Sequence, residues 1–234
     1  MKKLQCFFVS ICFVVSFVIG SIPVMAAETI YDGEGNLMTQ EEIQSAEEAV
    51  ALGKQIMESG IQTRVGYNFN IPLLRQDDSR WANTVMACGH SGHTFGAVGC
   101  AMTSYAMIFR YFGHNVTPVD VARVSQNNGG PCCNFSSLPL CQAYGHSREN
   151  SPGSYSQAQI QQWIVGRFAQ GKPCIVKLRK GSNTHFVVAR AYYEHPNGAT
   201  GIYIHDPESN INYSTLAQYL NNGWSIDFAT AIIR

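Results

Sequence analysis

The sequence predicts an α+β fold in which helices come first along the chain and an antiparallel sheet follows. Apolar residues recur at helical spacing in segments 100–112 and 156–169. From residue 173 onward the chain changes to runs rich in Val, Ile, Tyr and Phe, separated by turns that contain Gly, Asn or Pro. This segregation of helical from strand-like segments is typical of α+β proteins.

The helical half begins with segment 41–59, which follows a capping pair of Thr39 and Glu42. The next helix covers 100–112, and Thr-Pro at 117–118 is a favourable start for another. Segment 156–169 provides a further helix with an apolar face. The stretches 87–99 and 127–139 have no such pattern, and we expect loops there.

The sheet half consists of strands predicted at 173–180, 185–193, 201–205 and 228–233. A short helix is predicted at 214–220, before the last strand. Because only short turns separate the first three strands, we expect them to pair in antiparallel order.

Residues 1–26 have the composition of a signal peptide. Lys2 and Lys3 precede an apolar run over 4–19, and small residues follow at Ala26. A transmembrane anchor is the alternative, but the apolar run is short for one. We therefore expect cleavage near Ala26, no stable membrane anchor and a secreted product.

The remaining chain divides into an N-terminal segment, 27–66, and a main domain, 67–234. The N-terminal segment contains one helix, and both a pro-segment and a simple arm of the domain fit its sequence. The chain of 234 residues has 16 basic and 16 acidic side chains with no basic cluster, which argues against a nucleic-acid partner. We expect a monomer that needs no cofactor or metal.

Six cysteines follow the signal peptide, and an exported protein can oxidise some of them. Cys174 lies in a strand-like run, which favours a buried structural thiol. Apart from Cys100, the remaining cysteines can form up to two disulfides, and the sequence does not decide which of them pair: Cys88, Cys132, Cys133 and Cys141. A zinc site that uses part of this set with His146 is an alternative, although the spacing matches no familiar zinc motif.

Cys100 is the strongest candidate nucleophile, because it lies where a glycine-rich loop enters a helix. The positive end of the helix dipole favours a thiolate there. His185 opens a strand and is the candidate base, and Asp206 closes the next strand and is the candidate orienting acid. The amide of Gln76, with the backbone N–H of Cys100, is the candidate oxyanion donor.

Each of these residues also has an ordinary structural interpretation, and the ordered set is what favours catalysis. Cys88 lacks a helix that would activate it, and His90 and His93 lie in a loop. His205 neighbours Asp206, but strand alternation directs it to the opposite face.

The order of motifs resembles that of the papain-fold cysteine peptidases related to the bacteriocin-processing, double-glycine peptidases, in particular their stand-alone secreted branch. The resemblance covers about 71–233 and rests on these residues: Gln76, Trp81, Gly99-Cys100-x-x-Thr103-Ser104, Tyr111-x-Gly113, Pro118, His185-Phe186-Val187-Val188 and Asp206-Pro207.

The resemblance implies a helical lobe facing a sheet, with Cys100 as nucleophile, His185 as base and acid, Asp206 as orienting group and Gln76 in the oxyanion hole. The expected substrate is a peptide or protein. A cell-wall peptide amidase or endopeptidase is an alternative, although such sites often pair Cys with two His. A catalytically silent binding module with the same fold is a second alternative, and an isolated metal-binding role is the last.

Overall fold

A computed structural model describes residues 29–58, 66–86, 92–128, 130, 134–194, 200–210 and 213–234. The predicted signal peptide lies outside the described residues. Within the described part of the chain there are seven helices: α1 (Gln40–Glu58), α2 (Phe95–Val98), α3 (Cys100–Tyr111), α4 (Pro118–Asn128), α5 (Ser137–Ala143), α6 (Gln157–Ala169) and α7 (Leu216–Asn221). None of the helices in these ranges is long and apolar enough to cross a bilayer.

The strands form one antiparallel sheet. Their bounds are β1 (Tyr67–Asn68), β2 (Ser147–Asn150), β3 (Cys174–Lys180), β4 (Asn183–Glu194), β5 (Thr200–His205) and β6 (Ser225–Ile233). The order across the sheet is β1-β4-β3-β6-β2, and β5 pairs with β4. The predicted α+β class and the consecutive antiparallel strands β3, β4 and β5 are confirmed.

The structure differs from the sequence prediction at α2, α5 and β2. Helix α5 begins at Ser137, inside the segment expected to be a loop, and α2 is a single helical turn at the end of the other predicted loop. Strand β2 was not predicted, because Ser-Arg-Glu-Asn has no apolar alternation. It is a strand because its backbone pairs with β6, which supplies hydrogen bonds that local sequence does not reveal.

Helix α3 is the central helix of the core. Nine of its residues are buried, and it packs against strand β4. Helix α6 packs against β3, β4 and β6, and α1 packs on α6. That last crossing is close: a Cβ atom added at Gly166 would lie 2.0 Å from the carbonyl oxygen of Ala49. Only glycine permits such a short distance between the two backbones.

The chain before α1 is held to the sheet by a buried ion pair. Asp32 accepts from Arg148 at 2.9 Å, and the two side chains are 5% and 7% exposed. Asp32 also accepts from the side chains of Asn36 and Asn150, and Arg148 reaches Glu34 at 3.1 Å. These bonds satisfy charges that would otherwise be costly to bury.

Replacing Arg148 therefore tests how far the N-terminal chain contributes to stability. We expect Arg148→Met to lower the free energy of unfolding by about 3 kcal/mol, since it leaves Asp32 buried without its cation. Urea unfolding of the whole chain measures this. The matched control is Arg123→Met, which removes an exposed ion pair with Asp120 and should change stability by less than about 1 kcal/mol. Equal effects of the two substitutions would contradict the prediction.

Candidate active site

Cys100 is the first residue of α3. The turn α2 ends directly before it, and the N–H of Gly99 donates to the carbonyl of Phe95. A Cβ atom at Gly99 would lie 2.5 Å from that same oxygen, so a side chain here would push α2 away from α3. The backbone N–H groups in the first turn of α3, including that of Cys100, have no partner within the helix and point toward its N-terminal end.

His185 and Asp206 are adjacent although 21 residues separate them. His185 lies near the start of β4, and Asp206 directly follows β5, which pairs with β4. The ring Nε2 of His185 lies 2.8 Å from Oδ1 of Asp206. Both residues are almost fully buried, at 5% and 4% exposure, so bulk water scarcely competes for this bond.

The remaining ring nitrogen of His185 is left for Cys100. Burial lowers the pKa of His185, but hydrogen bonds with Asp206 and Cys100 and the charges of both outweigh burial and raise that pKa to about 10. His185 is therefore an imidazolium near neutral pH, placed between Asp206 and Cys100. Cys100 itself is a free, half-buried thiol.

A hydrogen bond between helix and strand determines how Cys100 faces His185. Ser104, one turn after Cys100, donates its hydroxyl to the backbone carbonyl of Phe186 at 3.2 Å. Phe186 directly follows His185 on β4. The helix that carries the thiol is thus attached to the strand that carries the imidazole.

Gln76 lies in the same site and is 3% exposed. Its Nε2 donates to the carbonyl of Gly96 at 3.0 Å, which leaves the second hydrogen of Nε2 for another acceptor. Its Oε1 is buried and has no partner among the described residues. The backbone N–H of Gln76 donates to the carbonyl of Pro207 at 2.7 Å, so Gln76 is connected to the segment that carries Asp206.

Three of the four predicted residues, Gln76, Cys100 and His185, line one cleft of about 810 Å³. Asp206 is buried behind His185 and does not line the cleft. The floor includes Phe186 and Phe228, and Trp224 lies beside His185. Glu34 from the N-terminal chain lines the same cleft.

The other histidines occupy different places. Nε2 of His205 lies 3.0 Å from the carbonyl oxygen of Ile71, whereas Asp206 contacts His185, so the two neighbouring residues have different partners. His93 lines the cleft, while His90 lies outside the described residues. His114 and His146 bond each other through their Nε2 atoms at 2.8 Å.

The cysteines correct one expectation. Cys141 is a free thiol that is fully buried, so two disulfides among the four candidates cannot form. Burial raises the pKa of Cys141 to about 12, as expected for an inert core thiol. Cys174 is also free and buried, which confirms its structural role. Cys88, Cys132 and Cys133 lie outside the described residues, and with them the rest of the disulfide prediction and the zinc alternative.

Three supporting residues were not identified from the sequence. Tyr219 donates its hydroxyl to Oδ2 of Asp206, and Arg75 donates to the backbone carbonyls of Asp206 and Glu208. Ser104 is the third. Tyr219 follows the helical apolar pattern of α7 and therefore resembles an ordinary core residue. Its position 13 residues after Asp206, on the next helix along the chain, is the one sequence feature that relates it to the acid.

A scan against protein-family models matches residues 69–227 to the Peptidase_C39 like family. The chain belongs to this family. A search of curated proteins found no match. Membership of the Peptidase_C39-like family implies a papain-like fold, in agreement with the helices and antiparallel sheet described above, and it makes this a cysteine peptidase-like domain. The predicted resemblance to papain-fold C39-like peptidases is confirmed.

His205 offers a test of the described packing through pH. Burial lowers the pKa of His205 from 6.5 to about 4, with the charges of Arg190 and Arg75 acting in the same direction. Between pH 6.5 and about 4, the folded protein thus binds fewer protons at this residue than the unfolded chain does. The contribution of neutral His205 is fully present above about pH 6.5 and is lost as the pH falls toward about 4.

We expect the free energy of unfolding to decrease less between pH 6.5 and 4 in His205→Gln than in the wild type. Glutamine keeps a donor for the Ile71 carbonyl but does not titrate. Urea unfolding at several pH values measures the difference, and the other titrating groups, including His146, are common to both proteins. Parallel curves would contradict the lowered pKa of His205.

Proposed function

We propose that this chain is a secreted thiol peptidase that hydrolyses peptide bonds through a covalent acyl-enzyme. Cys100 is the nucleophile, His185 the general base and acid, and Asp206 the orienting acid. The observation that carries the proposal is the convergence of a helix-start thiol with a buried imidazole–carboxylate pair in one cleft. Membership of the Peptidase_C39-like family supports the same chemistry.

In the acylation step, the Cys100 thiolate attacks the carbonyl carbon of the scissile peptide bond. A carbon–sulfur bond forms, and the carbonyl electron pair moves to oxygen. The backbone N–H of Cys100 and the second hydrogen of Gln76 Nε2 are suitable donors to that oxyanion. When the oxyanion collapses, the C–N bond breaks and His185 transfers its proton to the departing amine.

In the deacylation step, neutral His185 accepts a proton from water as the water oxygen attacks the thioester. Collapse of the second tetrahedral intermediate releases the carboxylic acid and returns the thiolate–imidazolium pair. Asp206 holds Nε2 of His185 throughout, which keeps the other ring nitrogen available to the thiol and to the leaving group.

The proposed substrate is a polypeptide, with a cell-wall peptide as the more specialised form of the same class. Secretion is proposed from the signal-like composition of residues 1–26. The acid at position 206 favours a Cys-His-Asp site over the Cys-His-His arrangement frequent in wall amidases.

The reactivity of Cys100 is the first test, because it needs no substrate. We expect iodoacetamide to label Cys100 of the wild type rapidly at pH 6, and His185→Ala to slow this at least about tenfold by removing the cation that stabilises the thiolate. Peptide mapping by mass spectrometry resolves each site, and buried Cys141 and Cys174 serve as slow internal references. Slow labelling that is indifferent to His185 would contradict the proposed mechanism.

Turnover is the second test, with casein and solubilised cell-wall fragments as alternative substrates. We expect Cys100→Ala to abolish cleavage and His185→Ala to reduce kcat about 10³-fold, since general acid–base catalysis is then lost. Asp206→Asn should cost less than His185→Ala, because asparagine can still accept from Nε2. The control His205→Gln changes the adjacent histidine and should retain activity at neutral pH. Full activity in Cys100→Ala would refute the proposal.

The oxyanion donors are tested by Gln76→Ala. We expect kcat to fall about 10²-fold to 10³-fold with little change in KM, because the lost hydrogen bond forms mainly in the transition state. Iodoacetamide labelling of Cys100 should remain fast in this variant. A large increase in KM with unchanged kcat would instead indicate that Gln76 only shapes the cleft.

A further inference from the structure

The carboxylate of Asp206 has more partners than a simple imidazole orienter requires. Oδ1 accepts from His185 and from the backbone N–H of Glu208, each at 2.8 Å. Oδ2 accepts from the hydroxyl of Tyr219, which is its sole donor among the described residues. Both oxygens of a carboxylate that is 4% exposed are therefore satisfied by protein groups.

Tyr219 is built into the core rather than attached loosely to it. It is fully buried on α7, which begins with a capping box of Thr215 and Gln218. Its ring lies 5.7 Å from the ring of His185 and 5.5 Å from that of Trp224. The hydroxyl thus has a fixed position, and the aromatic rings exclude water from the His185–Asp206 bond.

The hydroxyl of Tyr219 is a donor over the whole working range of pH. Burial raises the pKa of Tyr219, and the hydrogen bond to Asp206 raises it further. A donor to the ionised form of a carboxylate stabilises that form. Among the described residues, the other charged or titratable groups near Asp206 include Cys100, Glu208 and Arg75, and the Arg75 guanidinium donates to the backbone carbonyls of Asp206 and Glu208.

We propose that Tyr219 is a positioning residue of this site, whose hydroxyl holds the Asp206 carboxylate turned toward Nε2 of His185. The inference rests on the proposed peptidase function and adds to it a residue that acts through Asp206 without touching the substrate. Without this donor, Oδ2 is buried and unpaired, and the carboxylate is no longer held toward Nε2 of His185. The imidazolium then loses part of its stabilisation, and so does the thiolate of Cys100 that depends on it.

The test is the pH dependence of iodoacetamide labelling at Cys100 in Tyr219→Phe. We expect the acid limb of the labelling rate to move upward by about one pH unit, and the rate at pH 5 to fall about tenfold. The matched control is Tyr213→Phe, which removes a hydroxyl from the ring packed 4.9 Å from Tyr219 and should leave the profile unchanged. Slow labelling of buried Cys141 and Cys174 in the same samples reports that the fold is intact.

A double-mutant cycle separates positioning from a general loss of packing. In the Asp206→Asn background, Tyr219→Phe should cause no further shift of the acid limb, because the group through which it acts is gone. The same shift in both backgrounds would overturn the proposal, as would a Tyr219→Phe profile identical to the wild type. The cycle keeps its meaning even if Tyr219→Phe unfolds at a lower temperature, since labelling is measured where circular dichroism reports folded protein.

Failure of the proposed function has a different signature. If wild-type Cys100 reacts like an ordinary thiol and is indifferent to His185→Ala, there is no ion pair to position, and both proposals fall. If the wild type is activated and depends on His185 while Tyr219→Phe changes nothing, only the role of Tyr219 is refuted.

Discussion

The contact between the start of α3 and strand β4 is the constraint on which the site depends. The helix carries the thiol and the strand carries the imidazole, so their separation is decided by how closely helix and sheet meet. Small residues on the helix, Ala101, Ser104 and Ala106 among them, allow a close approach. The bond from Ser104 to the Phe186 carbonyl then fixes the position along the strand. A larger residue at 104 would separate the two reactive groups even if the fold survived.

A second constraint links the oxyanion side of the cleft to the acid. Arg75 holds the carbonyls of Asp206 and Glu208, and the next residue, Gln76, bonds the carbonyl of Pro207. The candidate oxyanion donor and the candidate orienting acid therefore lie on two chain segments that are hydrogen-bonded to each other. The bond from Gln76 to Pro207 joins two backbone groups and does not depend on side chains, whereas the other two bonds are lost if the Arg75 guanidinium is removed.

The parts of the fold that the sequence predicted are those with a strong local pattern. Helix α3 and strands β3, β4 and β5 have clear apolar patterns in the sequence. The observed ends of these elements lie close to the positions where those patterns end. Three of the candidate site residues lie at such ends, since Cys100 begins a helix, His185 lies near the start of a strand and Asp206 follows a strand. Local pattern is sufficient for such positions because the end of an element is visible in the sequence.

Other features depend on partners that are distant in the chain. Strand β2 is polar and exists through its pairing with β6. Tyr219 and Ser104 follow the ordinary patterns of their helices, and their polar atoms acquire a role only because Asp206 and Phe186 lie opposite. Cys141 was grouped with other cysteines by its position in the chain, whereas its environment is the apolar core around Tyr105. Tertiary contacts decide all of these cases.

The N-terminal chain lies outside the region that the family model matches, which begins at residue 69. Yet Met38, Ala46 and Ala49 belong to the common hydrophobic core, Asp32 neutralises buried Arg148, and Glu34 forms part of the cleft wall. The region that matches the family model is therefore smaller than the region that packs into the common core. A fragment trimmed to the family boundaries would expose the face of α6 that α1 covers and would leave the buried guanidinium of Arg148 without Asp32 and Glu34. In this chain the wall of the candidate cleft comes from both the region that matches the family model and the chain before it.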